Sequence, residues 1–233
     1  MNNNFLDRHD FFPTPVWRYQ FPDFQKKQKE LTTYLAQNKN FFVERERNGL
    51  QITDGNLNDK TLHPQLSEVT EFFTSCFEDV MDKCGYEKDI GITSMWATRH
   101  KQGGSHHEHV HANTFLAGVL YLFDIDGNAN GTAFKNHNAN LFQIVPRIKK
   151  GARQFFSIQE QIPFVPGTAI IFPSWANHVA LPSPSTYRMI IGANCMPVGR
   201  TNSDHYDQYV YPKPEEYGYL TLEEHIKAGY IKG

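Results

Sequence analysis

The sequence predicts a mainly β chain: a double-sheet barrel of the jelly-roll or cupin-like kind, with two or more N-terminal helices packed outside it. Three observations predict this. Two stretches with helical hydrophobic spacing precede residue 90. Seven short strand-like runs follow, separated by Gly, Pro and Asn clusters. Aromatics are abundant, with 18 Phe and 11 Tyr, and β-rich cores favour them. Helices followed by many short strands suit a layered barrel.

Taken in order, Phe12-Pro-Thr-Pro-Val-Trp-Arg-Tyr-Gln-Phe21 reads as an extended edge strand with prolines at its entry. Asp23 is placed to cap a helix running to about Gln37, with Phe24, Gln28, Leu31 and Leu35 along one stripe. A second helix is predicted from Pro64 to Cys84. Proline suits its first turn and Gly85 its stop. Its stripe, from Leu66 through Val69, Phe73, Phe77 and Val80, is broad enough to pack on a sheet. The predicted strands are Ile92 to Thr98, Phe115 to Phe123, Ala139 to Val145, Gln154 to Ile158, Thr168 to Phe172, Asn177 to Leu181 and Tyr187 to Cys195. The stretch 126–137 is read as an Asn-rich loop at the barrel mouth. The polar tail ends in a short helical run near Leu222 to Lys227. With no repeat or linker, one domain is expected over 1–233. Its parts are a helical and edge-strand part at about 1–89, a β core at about 90–195 and a tail at 196–233.

Composition narrows the function classes. The chain has 233 residues, 39% hydrophobic and 21% charged, with a formal net charge of -2. No global basic field draws it to nucleic acid or membrane. Arg147, Lys149, Lys150 and Arg153 read as a solvated strand edge. Three cysteines do not form a secreted disulfide framework. Cys76 and Cys84 share the second helix and lie too far apart to bridge, and Cys195 reads as a small core residue. The start, Met1-Asn-Asn-Asn-Phe-Leu-Asp-Arg8, lacks a signal core, and no apolar run would span a bilayer. The expectation is a cytoplasmic protein with a small-molecule or peptidyl substrate, no nucleic-acid or membrane partner, and a homodimeric state.

The chemistry concentrates in histidines. His109 and His111 flank Val110 just ahead of an apolar run, His178 follows 67 residues after His111, and Arg188 ten residues after that. Strand alternation puts His109 and His111 on one face, and a third imidazole from a distant strand would complete a transition-metal site. Three registers compete within Ser105 to His111: His109 with His111, His107 with His109, and His106 with Glu108. The apolar Val110 favours the first, with valine packing away from the site. Arg188 opens the apolar stretch Arg188-Met-Ile-Ile-Gly192 with no acidic residue nearby in sequence. A buried arginine is costly unless paired, so an external carboxylate is a reasonable partner.

These pieces carry a family resemblance. H-x-H before Gly118-Val-Leu-Tyr-Leu122, then Gly167-Thr-Ala-Ile-Ile-Phe-Pro-Ser-Trp-Ala-Asn-His178, then Arg188, resembles the iron(II)/2-oxoglutarate oxygenases of the double-stranded β-helix class. The similarity is greatest to a small bacterial and phage group, distantly related to prolyl hydroxylases. Its members also carry a phrase like Phe12-Pro-Thr-Pro15, a Trp such as Trp96 and an Asn such as Asn194. The resemblance runs from about Phe12 to Asn194. It implies a double-stranded β-helix, with His109, His111 and His178 holding Fe(II). It places Arg188, Tyr121, Asn113 and Asn194 around 2-oxoglutarate. It also implies O2-dependent hydroxylation of a substrate, with decarboxylation of 2-oxoglutarate to succinate. The wider superfamily places Asp or Glu where this chain has His111, and the small group has Pro where this chain has Ala112. Two other readings stay open. One is a cupin-type metal protein, which would not need Arg188. The other is a non-enzymatic β-sandwich binding module. Metal-dependent 2-oxoglutarate binding separates all three.

Overall fold

The computed structural model describes residues 13–38, 41–44, 49–54, 56–87, 89–138, 147, 149–150, 157–201 and 208–210. In chain order the elements are β1 (Trp17–Gln20), α1 (Phe24–Gln37), β2 (Phe42–Glu44), β3 (Leu50–Thr53), a 3-10 turn (Pro64–Leu66) running into α2 (Ser67–Lys83), β4 (Ile90–Lys101), β5 (His106–His109), β6 (Leu116–Asp124), β7 (Thr132–Lys135), β8 (Gln159–Ile162), β9 (Thr168–Pro173), β10 (His178–Ala180), β11 (Tyr187–Pro197), β12 (Gly199–Thr201) and β13 (Gln208–Val210). A seven-stranded sheet has the order β1-β9-β6-β11-β4-β3-β2, and a four-stranded sheet the order β5-β10-β7-β8. All their pairings are antiparallel. This is the jelly-roll, double-stranded β-helix arrangement.

Alternation along the central strands sorts their side chains into two cores. On one face, Leu116, Leu120 and Leu122 of β6, Ala169 and Ile171 of β9, and Met189 and Ile191 of β11 pack with Phe73, Phe77 and Leu35 of the helices. On the other, Ala117 and Tyr121 of β6 and Ile170 and Phe172 of β9 pack with Phe134 of β7. The large sheet is therefore apolar on both faces, which explains the unbroken hydrophobic runs in β6 and β9. The helices cover its outer face, and the small sheet closes the inner one. Full burial of one such Phe or Leu contributes roughly 1.5–3 kcal/mol. Gly85, at φ 77, supplies the left-handed turn that ends α2.

Several expectations are corrected. Asp23 makes no side-chain cap; it has φ 49, and its carboxylate bonds Lys26 instead. The stretch 126–137 is not all loop, because Thr132–Lys135 form β7 between β10 and β8. Its short apolar core, Ala133 and Phe134, is flanked by polar residues that mask the strand signal. β2 and β3 were not anticipated from sequence, being too short to show a clear period. Of the strand predicted over Gln154 to Ile158, residues 154–156 lie outside the described residues; Ser157 and Ile158 are not in a strand, and β8 begins at Gln159. Val110 does not pack inward; it is 52% exposed, because β5 ends at His109 and alternation stops there. The predicted strand over 139–145, Arg153 and the run 222–227 lie outside the described residues. Arg147, Lys149 and Lys150 are exposed. Cys76 and Cys195 are buried and Cys84 exposed, all as free thiols. No described helix is long and apolar enough to cross a membrane.

Candidate metal centre and anion pocket

His109 ends β5 and His178 begins β10, and the two are direct partners across the antiparallel pair, whose register shifts before Ala180. His111 lies beyond the end of β5, in a segment stitched to the turn before β10. Its N–H donates to the Ser174 carbonyl (3.0 Å), and the Ser174 N–H donates to the Phe115 carbonyl (3.1 Å). These backbone bonds, rather than continued strand alternation, bring His111 beside His178. One ligand-capable atom from each of the three rings lies within 4.8 Å of the others.

Each ring is fixed through Nδ1. His109 Nδ1 donates to the His107 carbonyl (2.7 Å), His111 Nδ1 to Asn194 Oδ1 (2.6 Å) and His178 Nδ1 to the Ala176 carbonyl (2.8 Å). A ring whose proton sits on Nδ1 has a bare Nε2 lone pair. His111 Nε2 and His178 Nε2 lie 3.2 Å apart, so two lone pairs face each other, an arrangement that a cation between them relieves. Second bonds of this kind set the tautomer of metal-ligating histidines. Burial holds His178 neutral, down to about 3, with His109 nearby adding to the effect. Burial likewise lowers His111, against the opposing bond to Asn194. Neutral imidazole is the form that binds a metal. The donor set therefore fits a divalent transition metal.

Glu108 is not part of this cluster. It accepts from Asn177 Nδ2 (2.6 Å) and lies 4.0 Å from Lys135 Nζ. This is the opposite side of β5 from the triad and disfavours the His106–Glu108 register. His106 does border the pocket and lies against His109, with ring centroids 4.2 Å apart and the rings tilted by 34°.

The pocket runs inward from the triad between the sheets. It is bordered by Trp96, Thr98 and His100 of β4, Val119 and Tyr121 of β6, Thr132 of β7, and Arg188 and Ile190 of β11. Arg188 is only 4% exposed. Its Nη1 donates to the Asn130 carbonyl, and its Nε and Nη2 donate to His100 Nδ1 at 3.1 and 2.6 Å. Desolvation lowers its pKa to about 10, which still leaves it charged. Tyr121 also borders the pocket, but its hydroxyl donates to Thr132 Oγ1 (2.9 Å) and accepts from the Thr132 N–H (3.1 Å).

The four residues expected around 2-oxoglutarate thus divide. Arg188 and Tyr121 line the pocket. Asn194 orients His111. Asn113 is an exposed turn residue with φ 51, outside the pocket; its asparagine suits a left-handed backbone. Sequence reasoning missed His100 and Thr132. His100 could have been found from Trp96, since Trp96, Thr98 and His100 recur at period two on one face. Thr132 lay within the stretch read as loop.

A triad of histidines able to hold one metal ion, His178 buried and His109 and His111 half-buried, opens through a pocket onto a buried arginine inside a fold of the double-stranded β-helix class. Residues 94–194 match the family model described as "Putative 2OG-Fe(II) oxygenase". This segment, a little under half of the chain, holds His109, His111, His178 and Arg188. Iron(II) and 2-oxoglutarate are the metal and co-substrate that the family assignment carries with it. No curated protein sequence matches the chain. Among solved structures, the non-heme alpha-ketoglutarate-dependent epimerase SnoN from nogalamycin biosynthesis aligns with TM-score 0.59 at 11% identity, covering 86% of this chain and 91% of that one. HygX from Streptomyces hygroscopicus, solved with nickel, 2-oxoglutarate and hygromycin B bound, gives 0.53 at 9%, covering 85% and 92%. A Pseudomonas putida prolyl-4-hydroxylase gives 0.51 at 12%, covering 80% and 94%. At these identities the likeness is one of fold.

Proposed function

We propose that this chain hydroxylates a C–H bond of a small-molecule or peptidyl substrate. In this reading His109, His111 and His178 hold Fe(II), and Arg188 binds the distal carboxylate of 2-oxoglutarate. The observation that carries it is the buried Arg188 guanidinium in the same pocket as the triad, with no carboxylate paired to it among the described residues. When bound, iron(II), 2-oxoglutarate and O2 supply the oxidation: 2-oxoglutarate is decarboxylated to succinate, and one oxygen atom enters the substrate.

The chain's own residues bind, orient and exclude water. Three imidazoles, each held through Nδ1, leave Nε2 free to bind a metal, and burial keeps His111 and His178 in the neutral, ligating form. The set contributes no negative charge, so a divalent ion keeps its full charge toward anionic ligands. Arg188 offers a planar fork to a carboxylate in a site too dry to screen it. Trp96, Val119 and Ile190 line the intervening wall and keep it apolar. Tyr121 braces Thr132, whose hydroxyl borders the same pocket.

Anaerobic calorimetry on manganese-loaded protein tests the reading. 2-Oxoglutarate should bind only with metal present, and Arg188→Ala should weaken it by roughly 3–5 kcal/mol, the cost of breaking a buried charge pair. Arg188→Lys should recover part, because lysine lacks the fork. Metal affinity should not change in either variant. Equal 2-oxoglutarate affinity in wild type and Arg188→Ala would favour a cupin-type protein, and no binding at all a non-enzymatic module.

A further inference from the structure

We propose that His100 is a positioning residue: it holds the Arg188 guanidinium by a neutral acceptor, so that the arginine stays charged and its outer fork stays available to an incoming carboxylate. The inference rests on the role given to Arg188 above.

His100 on β4 and Arg188 on β11 are direct partners across the antiparallel ladder, so both side chains stand on the inner face. Both are buried, at 3% and 4% exposure. Two guanidinium N–H groups, on Nε and Nη2, converge on His100 Nδ1. A guanidinium has no lone pair to offer. Nδ1 must therefore be the bare nitrogen, the ring proton sits on Nε2, and the ring is neutral. Two bonds to one nitrogen fix the plane of the guanidinium.

Every acceptor so engaged is uncharged. Nη1 goes to the Asn130 carbonyl. The carboxylate nearest in register is Asp124, which pairs with Arg188 from β6. Its oxygens accept from the backbone N–H groups of Ala129 (2.7 Å) and Asp126 (3.3 Å), so it acts on the guanidinium through its charge at a distance and makes no direct bond to it. Of the five guanidinium N–H groups, three are used, leaving one on each Nη. The groups that bond the guanidinium directly are thus neutral, and they set its orientation without a charge in contact with it. An acidic residue at position 100 would set the same orientation and cancel the guanidinium charge.

That contrast gives the test. His100→Asp, His100→Asn and His100→Leu are compared with wild type and Arg188→Ala, reading melting temperature, manganese affinity and 2-oxoglutarate affinity by anaerobic calorimetry. His100→Asp should fold with a melting temperature at or above wild type and bind manganese normally. It should nevertheless bind 2-oxoglutarate at least about tenfold more weakly, because like charge faces the incoming carboxylate. His100→Asn, with a neutral carbonyl acceptor, should stay within about threefold of wild type, whereas His100→Leu should lose about tenfold or more. If His100→Asp does not fold, the Asn and Leu pair decides the matter. Wild-type 2-oxoglutarate affinity in His100→Asp, or in His100→Leu, overturns the proposal. An unchanged affinity in Arg188→Ala instead overturns the reading of Arg188 itself, so the two failures are distinguishable.

Discussion

His111 and Asn194 are joined by a 2.6 Å hydrogen bond from the ring Nδ1 to the amide oxygen, across 83 residues of chain. Asn194 lies near the end of β11 on the inner face, two positions beyond Gly192, and reaches the one triad histidine that lies outside a strand. The bond does for His111 what backbone carbonyls do for His109 and His178. Asn194→Ala should weaken iron or manganese binding about 10–100-fold, as loss of such orienting partners does, with little effect on fold. Metal titration with a competing chelator measures it. An unchanged affinity would assign Asn194 a role other than orienting His111.

The triad itself is tested by stoichiometry. His178→Ala or His111→Ala should abolish one-to-one metal binding at micromolar concentration. Glu108→Ala should leave it intact, since Glu108 is engaged with Asn177. Elemental analysis of protein purified with excess iron under anaerobic conditions reads both. Loss of metal in Glu108→Ala would restore the shifted register.

Gly192 shows how closely the inner face is packed. A Cβ there would lie 2.5 Å from the Trp96 indole, its partner across the β4–β11 ladder. Trp96 in turn lies 5.8 Å, ring to ring, from His111. Gly192→Ala should lower stability by about 1–3 kcal/mol through overpacking. The displaced indole should also loosen His111 and reduce metal affinity. Urea unfolding and metal titration of the one variant test both.

Burial of neutral histidines makes the metal-free protein acid-sensitive. His100 and His178 are each held down to about 3, desolvation being the main cause for both, against an ordinary value of 6.5. Below 6.5 the unfolded chain takes up these protons while the folded chain does not. Their contribution is fully present above about 6.5 and is lost as pH falls toward 3. Each should steepen the fall by up to about 1.4 kcal/mol per pH unit within that window. Urea unfolding of metal-free protein at pH 7.5, 6 and 5 measures this, and His100→Asn should flatten the slope. A slope unchanged by that substitution would mean that His100 takes up a proton in the folded state.

The sequence by itself determined the two helices, the order of the main strands and the residues able to hold a metal. Those signals are local: hydrophobic period and the unusual company of His109, His111, His178 and Arg188. Short strands such as β2, β3 and β7 were not legible, because three or four residues hold too little periodicity and their pairing depends on distant partners. Only the tertiary structure decided how the triad is made. Alternation along one strand was the expected route from His109 to His111, but β5 ends at His109, and His111 is placed by bonds to Ser174 and Asn194, 63 and 83 residues away. Only the tertiary structure, too, set His100 against Arg188 and turned Asp124 into its own loop. A residue's type announces the chemistry it can perform. Which lone pair faces which proton is fixed by contacts between segments far apart in the chain, and no local pattern records them.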